Sequence, residues 1–186
     1  MGQEPSPQPS VKERGANALP APPAHAKGLS GLAAIIAAGV TIAAPLSTSF
    51  EGTVLQPYWD PAHIRTYCTG ETEHVVERKY TPQECADLLR QRQTNDYAPA
   101  VIRCVPGLAD DKRRPVLAAS IDFAYNAGTA SFCRSSMARA FNASNIKQGC
   151  YSFMAYDKAH VNGKLVVLRG LERRRKAERD LCLKGI

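Results

Sequence analysis

An α+β fold is what the sequence predicts, a small β-containing lobe followed by a larger all-helical lobe, and three features point there. Tyr58 to Tyr80 falls into short β-compatible pieces broken by Pro61, Gly70 and charged residues, the pattern of a small irregular sheet. Thr81-Pro82-Gln83-Glu84 then supplies an N-cap, a proline at the first helical position and a capping-box glutamate, so a helix opens there and runs to about Thr94. Helical periodicity recurs near 112–127, 131–142, 145–155 and 169–183, with breaks at Asn126-Ala127-Gly128, Asn142 to Asn145 and Asn162-Gly163. No internal repeat interrupts this order, and 186 residues suffice for one domain with an appendage.

The appendage comes first. Residues 1–27 hold Pro5, Pro7, Pro9, Pro20, Pro22 and Pro23 among polar and small residues, too little apolar surface to order a chain, so a disordered cytoplasmic tail is expected. Met1-Gly2-Gln3-Glu4-Pro5-Ser6 fits the loose N-myristoylation pattern, which at this length is a chance match. Residues 28–46 form a 19-residue uncharged segment, just enough for a helix to cross about 30 Å of hydrocarbon. Nine of the 19 are Gly or Ala and seven are Leu, Ile or Val, so insertion into a bilayer is marginal. Lys12, Arg14 and Lys27 precede it and favour a cytoplasmic N-terminus with the remainder exported. A cleaved signal peptide, a stable anchor and a buried helix compete for this segment. The long preamble favours a weak, uncleaved signal-anchor, leaving residues 47–186 as the folded domain.

A formal charge of +7 and a pI near 9.2 favour anionic partners: nucleic acid, acidic lipid or a bacterial wall. With no P-loop, zinc-finger spacing or aromatic RNA-binding signature, nothing but net charge speaks for nucleic acid, and none is expected as a partner. Cys68, Cys85, Cys104, Cys133, Cys150 and Cys182 all lie after the apolar segment, and none stands in a CxxC or beside a histidine at ligand spacing. No metal and no cofactor are expected. Either the six are reduced, buried small side chains, or they form up to three disulfides in an oxidising compartment, with 15 pairings open. Export favours disulfides.

Glu51, Asp60 and Thr66 follow the apolar segment at separations of nine and six positions. Two carboxyl groups joined by a loop can stand on opposite walls of a cleft, one kept protonated and one ionised, which is what glycosidic cleavage requires. With 17 acidic residues in the chain, that spacing alone is weak. The whole pattern of Glu, eight residues, Asp, five residues, Thr resembles the catalytic triad of the phage-type lysozymes. Arg65 to Thr72 is similar to that family's strand and turn, and Asp122-Phe123-Ala124-Tyr125-Asn126-Ala127-Gly128 to the end of its central helix. Phe132 to Ser136, Ala140 to Asn142, and Gly170 to Arg179 resemble its later segments, so the likeness spans about residues 50 to 184 in order.

The resemblance implies a lysozyme-like fold with its cleft between the two lobes. It also implies an inverting endolysin that hydrolyses the β-1,4 bond between N-acetylmuramic acid and N-acetylglucosamine in peptidoglycan, causing host lysis. Glu51 would be the general acid, and Asp60 and Thr66 would position and activate the water, across the carboxyl separation of about 6.5–9.5 Å that inversion needs. Two positions depart from the family: Glu71 stands where many relatives have histidine, and Tyr156-Asp157 where they often have tryptophan. The family includes signal-arrest-release endolysins, whose weak anchor tethers an inactive enzyme to the periplasmic face of the inner membrane. By that analogy residues 28–46 would hold Glu51 out of place until the helix leaves the bilayer. With no cysteine in residues 28–49, activation would come from repositioning of the Glu51 segment, yielding a periplasmic monomer. The alternatives are a lytic transglycosylase, whose product lacks one water, and a degenerate wall-binding module.

Other features read as structural. Arg173-Arg174-Arg175-Lys176, flanked by Glu172, Glu178 and Asp180, is expected to be a solvated helix face. His63, His74 and Asn126 read as surface, turn or cap residues, and Tyr58 and Trp59 as core packing or a sugar contact.

Overall fold

The computed structural model describes residues 31–186 apart from positions 61, 62 and 162. The expected tail and the first residues of the apolar segment lie outside the described residues, as does Pro61. Helix α1 runs unbroken from Gly31 to Glu51, so position 46/47 falls inside one helix. Its inward stripe is Ile36, Gly39, Val40, Ala43, Ala44 and Ser47, the three- and four-residue spacing of a single helix face. That face lies on α4 (Arg114–Ala127), the central helix, whose residues Val116 to Ala124 are all buried. Gly39 permits the close approach: a Cβ there would stand 3.0 Å from the Leu117 side chain.

After α1, Gly52 at φ +71 turns the chain into the small lobe. Strands β1 (Val54–Trp59) and β2 (Arg65–Cys68) pair antiparallel, Tyr58 opposite Thr66 and Trp59 opposite Arg65. The lobe's own buried cluster is Tyr67, Cys68, Tyr80 and Cys85. So small a core is marginal alone, and the Cys68–Cys85 disulfide ties β2 to α2 (Pro82–Arg92). The expected capping box is present in full: Thr81 Oγ1 accepts from the Glu84 N–H while the Glu84 carboxylate accepts from the Thr81 N–H.

The helix expected to stop near Thr94 continues through a π-helical turn, Gln93–Tyr97, into α3 (Ala98–Cys104). Ala98, Ala100 and Val101 are buried, and Pro99, which has no N–H to give to the helical ladder, comes directly after the π-helical turn. The 131–142 segment is two helices, α5 (Thr129–Arg134) and α6 (Ser136–Asn142), because Ser135 adopts an extended backbone and caps α6 through the Ala138 N–H. Then come α7 (Ile146–Ser152), a 3-10 turn over Phe153–Tyr156, and α8 (Arg169–Leu183). Between them is a hairpin the periodicity does not reveal, β3 (Lys158–Val161) with β4 (Lys164–Val167). The remaining disulfides, Cys104–Cys133 and Cys150–Cys182, join α3 to α5 and α7 to α8, so all six cysteines are paired.

Candidate active site

Glu51 is the last residue of α1, where the large lobe hands over to the small one, and its side chain is 29% exposed. Its carboxylate accepts a hydrogen bond from Arg174 of α8. Arg174 is itself buried and forks onto Asp122 of α4, Nε to Oδ2 at 3.0 Å and Nη2 to Oδ1 at 2.9 Å. Asp122 Oδ1 also accepts from the Ser47 hydroxyl at 2.6 Å, and Ser47 Oγ accepts from Gln93 Nε2 at 2.7 Å. Ser47, Gln93 and Asp122 have no solvent exposure. A chain of hydrogen bonds therefore joins the π-helical turn, α1, α4 and α8, and ends on Glu51.

Burial opposes the charge on Arg174, but its bonds to Asp122 and Glu51 outweigh that and raise its pKa. Alongside it, Arg175 donates to Asn126 Oδ1 at 2.6 Å and lies 3.0 Å from Glu178, which is fully buried. Desolvation raises the Glu178 pKa well above the carboxylate range, Arg175 pulls it back, and the Asp122 charge pushes it up again. The expectation of a solvated basic face on α8 is thus overturned for Arg174 and Arg175. Leu171 and Cys182 set the phase of the inward stripe, and at helical spacing positions 174, 175 and 178 share it.

Three depressions adjoin this centre and share Asn126 as a lining residue. One of about 210 Å³ is lined from the small lobe by Thr69, Gly70, Glu71 and Thr72 and from the large lobe by Tyr97 and Tyr125, with Glu51 at its edge. A second, about 630 Å³, lies between Phe50, Glu51 and the start of α8. The third, about 600 Å³, continues past Leu171 and Tyr156 to Arg134 and Lys158. Glu51 therefore stands in a cleft between the lobes. Tyr125, whose hydroxyl donates to the Thr69 carbonyl, ties the two walls together, and burial raises its pKa.

Asp60 and Thr66 lie on the β1–β2 hairpin. Asp60 opens the turn, with Oδ1 accepting from the Ile64 N–H at 2.8 Å and its own N–H donating to the Ile64 carbonyl at 3.0 Å. Thr66 is buried on β2, and its hydroxyl donates to the Ile64 carbonyl at 3.1 Å. The depressions around Glu51 are lined from the small lobe by the turn after β2, not by these two side chains. Trp59 is 65% exposed, with the Arg65 guanidinium 5.3 Å from its ring, so it is not core packing. Glu71 accepts from the Thr72 and Glu73 N–H groups at 2.9 and 3.0 Å and from Arg92 Nε at 2.8 Å. The Tyr156 hydroxyl accepts from the Ser136 N–H at 3.0 Å and its ring stands edge-on to Phe123. Both departures from the family pattern are thus knitted into the scaffold.

Residues 48–178 match the family model described as phage lysozyme. The chain belongs to the phage lysozyme family. It is a lysozyme-type glycoside hydrolase of the endolysin class that degrades peptidoglycan. Among its relatives are a SAR-endolysin of bacteriophage PS119, 30% identical over 84% of this chain and 93% of that protein, and one of enterobacteria phage P21, 30% identical over 88% and 98%. Among solved structures, the muramidase domain of SpmX from Asticaccaulis excentricus has a TM-score of 0.69 at 27% identity, covering 78% of this chain and 95% of that one. The active form of P1 phage endolysin Lyz has a TM-score of 0.63 at 25% identity, covering 80% and 84%. Within this family fold, the α+β architecture, the interlobe cleft and Glu51 at the end of α1 form one arrangement.

Proposed function

We propose that this phage lysozyme hydrolyses the β-1,4 bond between N-acetylmuramic acid and N-acetylglucosamine with inversion, using Glu51 as general acid. The observation that carries this is Glu51 at the junction of the cleft depressions, anchored by a buried arginine. Arg174 holds one carboxyl oxygen, so the other is left to deliver a proton to the leaving sugar oxygen. Asp60 and Thr66, on the facing lobe, take the part of the group that orients and activates water on the opposite face of the sugar. The hairpin turn fixes Asp60 through two bonds to Ile64, and a base held by its neighbours loses little freedom when substrate arrives.

Membrane residence belongs to the same proposal. α1 is 21 residues long and apolar enough to cross a bilayer, with 33% of its most apolar window buried in the fold. Its stripe packed on α4 cannot simultaneously face lipid, and Ser47 would leave Gln93 and Asp122. A chain tethered at the inner membrane through residues 28–46 would therefore lack the bonds that place Glu51, and departure of the helix from the bilayer would complete the site. Glu51→Gln tests the acid: the full chain should clear isolated peptidoglycan and the variant should lose about 10²-fold or more of that activity. A variant as active as the parent would remove Glu51 from the chemistry.

A further inference from the structure

Asn126, one residue before the end of α4, lines all three depressions, and Glu51 lines two of them with it. A carboxamide can present either its oxygen or its nitrogen to a cleft, and Arg175 decides which. A guanidinium has donors only, so the 2.6 Å bond from Arg175 Nη2 turns the Asn126 oxygen towards α8. The nitrogen is at the other end of the same planar group, and among the described residues it has no hydrogen-bond partner. Arg175 is itself held on two further sides. Its guanidinium carbon stands 4.6 Å from the centre of the Phe123 ring, and Nη2 lies 3.0 Å from the buried Glu178 carboxylate. Exchanging the two ends of the amide would set an N–H against a buried guanidinium N–H with no acceptor between them, so the nitrogen is kept outward.

An NH₂ group fixed in the wall of a glycan cleft calls for an acceptor on the glycan. Both sugars of peptidoglycan carry a 2-acetamido group, whose carbonyl accepts and cannot donate. Sugar hydroxyls do both and would be served by either end of the side chain, so they give no reason to fix it. We propose that Asn126 is a substrate-contacting specificity residue whose Nδ2 donates to an acetamido carbonyl of the bound glycan, and that Arg175 is the positioning residue that keeps this donor outward. The proposal rests on the cleft holding peptidoglycan but not on Glu51 as the acid: loss of the acid assignment in Glu51→Gln leaves the preference among substrates to be read in the parent.

The test compares kcat and KM of the full chain on solubilised peptidoglycan and on two enzymatically de-N-acetylated forms, one lacking acetyl groups on glucosamine and one on muramic acid. The parent should prefer the intact polymer at least about tenfold in kcat/KM over one of the two, which identifies the sugar. Asn126→Asp keeps an acceptor for Arg175 and removes the donor. It should lose about tenfold or more on the intact polymer, chiefly in KM, and gain on the de-N-acetylated form, whose ammonium it can pair, with the circular dichroism unchanged. Arg175→Met/Glu178→Met removes the buried pair together, a replacement that cores tolerate, and should narrow the preference with Asn126 still in place. Equal losses by Asn126→Asp on all three polymers would reduce Asn126 to a structural role and overturn the proposal, as would no loss on any or a parent without preference. A preference undiminished in the double variant would overturn the positioning role of Arg175.

Discussion

Arg174 is the residue through which the rest of the large lobe reaches Glu51. Its guanidinium is shared between Asp122 and Glu51, and Asp122 is held in turn by Ser47 and Gln93. Ser47 lies one helical turn before Glu51, so it fixes the rotation and register of the turn that carries the proposed acid. Ser47→Ala leaves Gln93 and Asp122 buried with a partner missing, which costs about 1–3 kcal/mol. Urea unfolding should record that loss, and turnover should fall more than substrate affinity because Glu51 is displaced and the rest of the cleft is not. Unchanged stability and turnover would show that the chain of bonds does not position the acid. Glu178 gives a prediction of a different kind. Its pKa is raised in the fold, so the folded state holds that proton more tightly than the unfolded chain. The associated stability is whole below about pH 4.5, the ordinary glutamate value, and drains away as pH rises through the folded value. Glu178→Gln removes that drain, so as pH rises above about 4.5 its thermal midpoint should fall less steeply than the parent's. Parallel curves would contradict this.

At the scale of elements, the proposed membrane residence of α1 and its packing on α4 make opposite demands. Lipid residence asks only for apolarity, whereas packing on α4 asks for a shaped face, and Gly39 separates the two. Gly39→Leu makes the helix more apolar and a better helix former by about 1 kcal/mol, yet it drives a side chain into Leu117 and costs about 1–3 kcal/mol from overpacking. Ala37→Leu, on the exposed side, adds similar apolarity without the clash. The first should lower the unfolding midpoint and specific activity of the released enzyme, and the second should leave both near the parent value. Equal effects would mean that the α1–α4 contact does not govern the folded state. The elements also show what a sequence can and cannot disclose. The Thr81–Glu84 capping box and the span of α8 were legible because local chemistry specifies them. The β3–β4 hairpin was not, since both its faces are partly exposed, β3 is only four residues long, and the apolar residues of β4 run consecutively, without the alternation that marks a half-buried strand. α2 did not stop at Thr94 because tertiary burial of Ala98 and Val101 outweighs the polar stretch before them.

Across the whole molecule, two lobes of unequal core meet at a cleft, with one disulfide inside the small lobe and two inside the large one. The even cysteine count and the position of all six after the apolar segment pointed to oxidation, but pairing depends on which helices become neighbours and had to await the fold. Glu51 could be proposed as the acid from the sequence because Glu51, Asp60 and Thr66 keep the spacing on which the family resemblance rests. Its arginine was hidden because charge in the run from Arg173 to Lys176 was weighed ahead of helical phase, which places Arg174 and Arg175 inward. The polar chain from Gln93 to Glu51 joins positions 46 to 123 residues apart, a proximity that no local pattern records.

The central claim is hydrolysis with inversion across this cleft, and the anomeric form of the first product tests it most directly. Proton NMR of a soluble muropeptide chain, recorded during digestion by the full-length enzyme and before mutarotation, should show the α-anomer at the new reducing end, with one water added per bond cut. A β-anomer first, or an anhydro-sugar lacking that water, would contradict the account and assign the cleft to a different reaction.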